Sequence, residues 1–207
     1  RLTCDDKTGQ IWVGENGQDT WESVKLVERG ANYGWSVYEG SHPFYLERTL
    51  GPGKLTEPTF EHHHREARSL TGGIVYYGKQ IPELRGAYVY GDYSTGKIWA
   101  GKLDGQKVLW HREIADTPFA ITGFAADTNG NLIVIDDHSG FHRLRQNQKA
   151  NQAPAFPRSL SETGLFKDTA RHQVAAGVIP YLVNVPHWTD GAESTHFLAI
   201  PSDGQLR

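Results

Sequence analysis

The stretch Tyr93-Ser-Thr-Gly-Lys-Ile-Trp-Ala-Gly101 decides the fold: a polar turn closes on Gly96, and apolar and aromatic residues follow at once. Two other stretches repeat this grammar, Lys7-Thr-Gly-Gln-Ile-Trp-Val-Gly14 and Thr128-Asn-Gly-Asn-Leu-Ile-Val-Ile135. In each, a Thr-Gly or Asn-Gly pair supplies the positive φ of a tight hairpin, and a strand begins beyond it. Ile121-Thr-Gly-Phe-Ala-Ala-Asp127 reads as a strand paired with Asn131–Ile135, with Phe141-His-Arg-Leu-Arg145 as a third. Sheets of about four short antiparallel strands are the blades of a β-propeller. A β-sandwich uses the same turns, but the repetition favours the propeller. The uneven spacing of the three echoes implies long loops between strands. Helical periodicity is weak throughout, and Asp19–Arg29 reads either as a short helix or as a loop and then a strand.

Composition narrows the function classes. The 207 residues are 38% hydrophobic and carry a net charge of −3. No run of about 18 apolar residues exists, so no membrane-spanning helix is expected. Lys and Arg are not clustered, which argues against a nucleic-acid partner. A single cysteine, Cys4, excludes an internal disulfide framework and a cysteine-based zinc site. There is no methionine, the first residue is an arginine, and Pro201–Arg207 reads as a turn entering a strand. The chain is therefore expected to be a piece of a longer protein. Residues 146–157, polar and amide-rich with prolines at the end, read as a linker. It divides a domain at 1–145 from the start of a second, mostly β domain at 158–207. There, Ser161–Phe166 opens with turn residues and Val178–Pro186 is apolar and extended.

The most specific stretch runs from Trp12-Val-Gly-Glu-Asn-Gly-Gln-Asp-Thr-Trp to Asn32-Tyr-Gly-Trp35. Ser69-Leu-Thr-Gly-Gly-Ile-Val-Tyr-Tyr-Gly78 and Pro82–Tyr93, with its Gly91-Asp-Tyr93, follow in order. Residues 1–145 thereby resemble the C-terminal half of the glucose/sorbosone dehydrogenase family, the soluble PQQ-dependent aldose sugar dehydrogenases. The resemblance implies the last two to three blades of a six-bladed propeller. It also implies oxidation of an aldose at its anomeric hydroxyl to a lactone, with PQQ and calcium as cofactors, in the periplasm or outside the cell.

Site residues follow from the same resemblance. Glu15-Asn-Gly-Gln-Asp19 is a tight polar loop, and calcium takes several oxygen ligands, many from backbone. The family's calcium loop matches here at Gly17 and Gln18, while a plain solvated hairpin is the other reading. Arg68, Ser69 and Thr71 fall in the cofactor pocket. His62-His63-His64 cannot all reach one ion, because consecutive strand residues point in alternating directions. His64 is expected on the substrate side of the site, with the other two histidines exposed. Tyr33 and Trp35 suit blade packing better than substrate contact. Asp19 and Glu22 are either supporting acids or surface charge.

Some departures weigh against chemistry. A cofactor with three carboxylates calls for basic donors. Where the family places them, this chain has Ser94-Thr95 and the neutral Phe119-Ala-Ile-Thr122, leaving Arg68 and Lys97 as substitutes. The family's catalytic histidine belongs to an earlier blade, so no catalytic base is expected in this chain. Residues 156–192 resemble a region of large secreted bacterial proteins that joins such propellers to c-type cytochromes. No Cys-x-x-Cys-His is present, so a haem, and with it a cytochrome electron acceptor, would lie outside the chain. The rival reading is a propeller that has lost the quinone and serves as a binding module, like hedgehog-interacting-type relatives. A calcium-stabilised structural domain is a third.

Overall fold

Glycine turns followed by β-branched and aromatic residues do produce strands here, and the computed structural model arranges the strands in three antiparallel sheets of three or four strands and three two-stranded hairpins. It describes residues 1–147, 157–183, 190–192 and 194–199. No α-helix occurs among the described residues. The chain falls into two compact units, Arg1–Asn147 and Gln148–Arg207.

In the first unit, one sheet runs in the order β1 (Leu2–Cys4), β2 (Ile11–Glu15), β3 (Trp21–Leu26) and, across an inserted hairpin, β6 (Phe60–His63). The insert carries β4 (Tyr38–Glu39) and β5 (His42–Pro43). A second sheet comprises β7 (Leu70–Val75), β8 (Tyr88–Asp92), β9 (Lys97–Asp104) and β10 (Lys107–Asp116) in sequence order. The third holds β11 (Ile121–Ala126), β12 (Leu132–Asp136) and β13 (Gly140–Arg143). Asp19–Arg29 resolves as a turn and then strand β3. The arrangement is two four-stranded blades and a three-stranded one, a partial β-propeller.

The middle sheet is covered on both faces, and strand alternation explains how. Tyr88, Tyr90 and Trp99 join Trp12, Val24, Phe60 and Leu70 in the core against the first sheet. Val89, Ile98 and Ala100, the intervening residues, join Ile121, Leu132 and Val134 against the third. Between the first two sheets the rings of Trp12 and Tyr88 stack with centroids 4.5 Å apart. Such pairs contribute about 1 kcal/mol each beyond their buried area. Toward the inner strand β7 the sheets meet glycine to glycine: a Cβ on Gly14 would lie 3.3 Å from the Gly72 Cα. On the outer strands the large ring of Phe60 fills the space over Gly101, where any Cβ would overlap it.

In the second unit, Leu160–Thr163 forms a 3-10 turn with a Ser159–Glu162 capping box, ended by Gly164 at φ 71°. Two hairpins follow, β14 (Phe166–Asp168) with β15 (Gln173–Val174), and β16 (Ile179–Tyr181) with β17 (His196–Leu198). Most of the linker reading, the end of the Val178–Pro186 run, His187–Thr189 and the turn at Pro201–Arg207 lie outside the described residues.

Candidate functional site

Three fully or nearly buried carboxylates hold the loops in which the candidate residues lie. Glu39, on the inserted hairpin, accepts the backbone N–H groups of Asp19 at 2.7 Å and Thr20 at 3.1 Å. This fixes the Glu15–Asp19 loop from below by its donors. The carbonyls of Gly17 and Gln18 accept no hydrogen bond among the described residues, so they are uncommitted. Position 17 must be glycine, because a Cβ there would overlap the Trp21 carbonyl and press on Glu39. The Gln18 side chain reaches across to the Tyr45 hydroxyl at 3.2 Å.

Asp92 ends β8 and is wholly buried. Its Oδ2 accepts the N–H groups of Arg68 and Ser69, and its Oδ1 those of Ser94 and Thr95. Four donors on one carboxylate fold two loops around a single anionic point. The Arg68 guanidinium is exposed and donates through Nε to the His64 carbonyl at 3.2 Å, which leaves its terminal N–H groups outward and unspent. The Ser69 hydroxyl receives Asn16 Nδ2 at 3.5 Å. Thr71 is different: its hydroxyl donates to the Ile121 carbonyl at 2.6 Å, tying β7 to β11, and has no proton left for a ligand.

Glu22, on β3, is also wholly buried. One of its oxygens accepts the Leu70 N–H at 2.9 Å and the other lies 2.8 Å from His64 Nε2. Burial pushes its pKa up, opposed by the Leu70 and His64 hydrogen bonds. Glu22 is thus a supporting acid and not surface charge. It fixes the His64 ring with Nε2–H inward and leaves Nδ1 as an acceptor on a side chain that is 23% exposed.

The histidine run needs one correction. His62 is not exposed; it is 3% exposed and packed between the first two sheets. Alternation on β6 turns it inward with Phe60, and Trp99 covers its ring at 4.3 Å. His63 is half-buried, edge-on to Trp21. Among the described residues no group of three His, Cys, Asp or Glu side chains is arranged to hold a metal.

One charged residue escaped the sequence reading. Arg1 lies against β7 and β11: its Nη1 would be 2.8 Å from a Cβ on Gly123, and its own Cβ 2.9 Å from one on Gly72. Two bare glycines on neighbouring strands make room for it, a signal visible only once the strands are adjacent. A separate open cavity of about 600 Å³ beside Glu15 is lined by Lys25, Asn32, Tyr33 and Trp35, and by none of the candidate cofactor residues.

Loop 15–20 and segment 64–71, about fifty positions apart, are therefore brought side by side: Asn16 in the loop bonds Ser69, and Glu22 on β3 just after the loop bonds Leu70. The donor chemistry fits calcium: two uncommitted carbonyls are part of the roughly six to eight oxygens the ion takes. It fits a polycarboxylate through the Arg68 guanidinium and the Ser69 hydroxyl.

The comparisons agree with the fold. The model of the glucose/sorbosone dehydrogenase family matches residues 1–144. The HIPL1 protein of Arabidopsis thaliana is 37% identical over 97 residues, 41% of this chain and 14% of that protein. A crystal structure of a glucose dehydrogenase superposes with a TM-score of 0.56 at 22% identity, covering 70% of this chain and 44% of that one. The PQQ-bound aldose sugar dehydrogenase of Streptomyces coelicolor gives 0.50 at 21% identity, covering 65% and 36%. The chain spans less than half the length of each of these relatives. With a family match over residues 1–144 and a partial propeller of the same fold, the chain belongs to the glucose/sorbosone dehydrogenase family.

Proposed function

We propose that this chain is the C-terminal part of a calcium-assisted, PQQ-dependent aldose dehydrogenase that oxidises the anomeric hydroxyl to a lactone. The observation that supports it is that the loop carrying the uncommitted Gly17 and Gln18 carbonyls is tied, through Asn16 to Ser69 and through Glu22 on the following strand to Leu70, to the segment that carries Arg68, across about fifty residues of sequence. In this reading the two carbonyls bind calcium. Arg68 and Ser69 hold a cofactor carboxylate, and Thr71 keeps β7 against β11 beneath them. PQQ, when bound, supplies the hydride acceptor. His64, oriented by Glu22, presents Nδ1 to accept a hydrogen bond from a sugar hydroxyl. Arg1 adds positive charge at the inner strands. We further propose residues 146–157 as a linker to a second domain, a periplasmic or extracellular location, and a cytochrome as electron acceptor.

The second reading is a non-catalytic binding module. It is favoured by the hydroxyl of Thr71, which is spent on Ile121, and by the N–H groups of Ser94 and Thr95, which are spent on Asp92. Dye reduction by the full-length protein with PQQ, calcium and a panel of aldoses separates the two. Activity that a chelator abolishes and Arg68→Ala weakens about tenfold or more supports the dehydrogenase. Silence from folded, calcium-loaded protein supports the binding module.

A further inference from the structure

Tyr90, on β8 between the first two sheets, is wholly buried and plays no part in the site above. Its hydroxyl lies 2.8 Å from His62 Nε2 and 2.6 Å from His111 Nε2, and His62 Nδ1 lies 3.3 Å from Glu66 Oε2. One proton assignment satisfies all four groups. An ionised carboxylate only accepts, so His62 carries its hydrogen on Nδ1, and as a neutral imidazole it is bare at Nε2. Tyr90 has a single proton and gives it to that bare nitrogen. His111 then donates its Nε2–H to the phenol oxygen. Burial lowers the pKa of both histidines, that of His111 to about 4, so both rings are neutral at neutral pH. The row reads carboxylate, imidazole, phenol, imidazole.

Neighbouring buried tyrosines lack this arrangement. The Tyr88 hydroxyl accepts the Gly73 N–H and that of Tyr76 accepts the Ile81 N–H. Neither has an imidazole partner among the described residues. Tyr90 is also bracketed by rings: Tyr88 at 5.6 Å, Trp99 at 5.9 Å, and Trp12 stacked on Tyr88.

We infer that Tyr90 is a redox-active tyrosine, giving one electron to an outer-sphere one-electron oxidant while its phenolic proton passes to His62. The O–H bond of Tyr90 breaks and an N–H bond forms at His62 Nε2. The oxidant gains the electron, and a neutral tyrosyl radical remains beside an imidazolium that faces Glu66. Return of one electron and that proton restores the phenol. Burial forbids the alternative of losing the proton to water, and an unpaired charge would be costly here. Glu66, 62% exposed, balances the charge on the imidazolium. Tyr88, Trp12 and Trp99, themselves 1%, 3% and 4% exposed, set further aromatic rings around Tyr90 along which the electron moves in short steps toward the oxidant.

The test is flash oxidation of the whole chain at neutral pH by photogenerated tris(bipyridine)ruthenium(III), followed by transient absorption and electron paramagnetic resonance. The expected result is a long-lived neutral tyrosyl radical, formed more slowly in deuterium oxide and lost in Tyr90→Phe. Glu66→Gln, a surface change that leaves the core packed, slows its formation about fivefold, the scale of an exposed charged partner. A radical signal unchanged in Tyr90→Phe overturns the inference. Should Tyr90→Phe fail to fold, Glu66→Gln carries the test: formation that neither this substitution nor deuterium oxide alters overturns it equally.

Discussion

Gly17 and Asp92 carry the candidate site at the residue scale, one by having no side chain and the other by having a charged one. Gly17→Ala pushes a methyl group into the Trp21 carbonyl and against Glu39, so the loop must shift. Calcium affinity of the chain, measured by calorimetry, should fall at least about tenfold, a loss of about 1.4 kcal/mol, because the two carbonyls lose their shared orientation. Unchanged affinity would remove this loop from the cation site. Asp92→Asn replaces an acceptor of four N–H groups by one whose amide half can only donate. Urea unfolding should show a loss of about 2–4 kcal/mol. A change within 0.5 kcal/mol, about the scatter of neutral surface substitutions, would mean that the two loops are held by something else.

At the scale of elements, the contact between β6, β8 and β10 should be sensitive to acid. His62 and His111 have folded pKa values below the ordinary 6.5, in the case of His111 about 4, because burial disfavours the charged ring. The unfolded chain therefore binds more protons between these values. Stability is full above pH 6.5 and declines as pH falls toward 4. Allowing for partial exposure, His111 accounts for about 2 kcal/mol of that loss. Melting temperatures across this range should fall for the natural chain and less steeply for His111→Gln. Equal slopes would sink the assignment. Glu22 works in the opposite sense, since its raised pKa makes ionisation a cost at neutral pH.

The same elements show what the sequence could tell. Strands β9, β11, β12 and β13 were legible because glycine turns and β-branched runs act locally. The loop at Gly17–Gln18 and the segment at Arg68–Thr71 were legible as motifs. The burial of His62 was not, since it depends on which sheet lies opposite β6. Nor was the difference between Ser69, with a hydroxyl still available, and Thr71, whose hydroxyl is spent on a strand fifty residues away. Asp92 stood inside a quoted motif and Glu39 did not, and the work of both as acceptors appears only when distant N–H groups converge on them.

At the scale of the whole molecule, the outer sheets present apolar side chains to solvent. Leu2 on β1 is 64% exposed and Phe141 on β13 is 77% exposed. Both strands lie at the edge of their sheet, and an open edge bearing apolar side chains pairs readily with another chain. The 207-residue chain by itself should self-associate at micromolar concentration, and Phe141→Ser should shift it toward monomer in sedimentation experiments. A monodisperse natural chain with a sharp cooperative melt would contradict this.

The contact between the first two sheets is also a protractor. Glycine meets glycine at Gly14 and Gly72, whereas Phe60 and its neighbours stand between the outer strands. Side-chain bulk that grows with radius makes this pair of blades a wedge, and the opening angle of a wedge bears on how many fit around a circle. Curvature at this contact is thus written in a gradient of residue volume. A larger residue at the hub or a smaller one at the periphery would alter curvature before it altered any single strand.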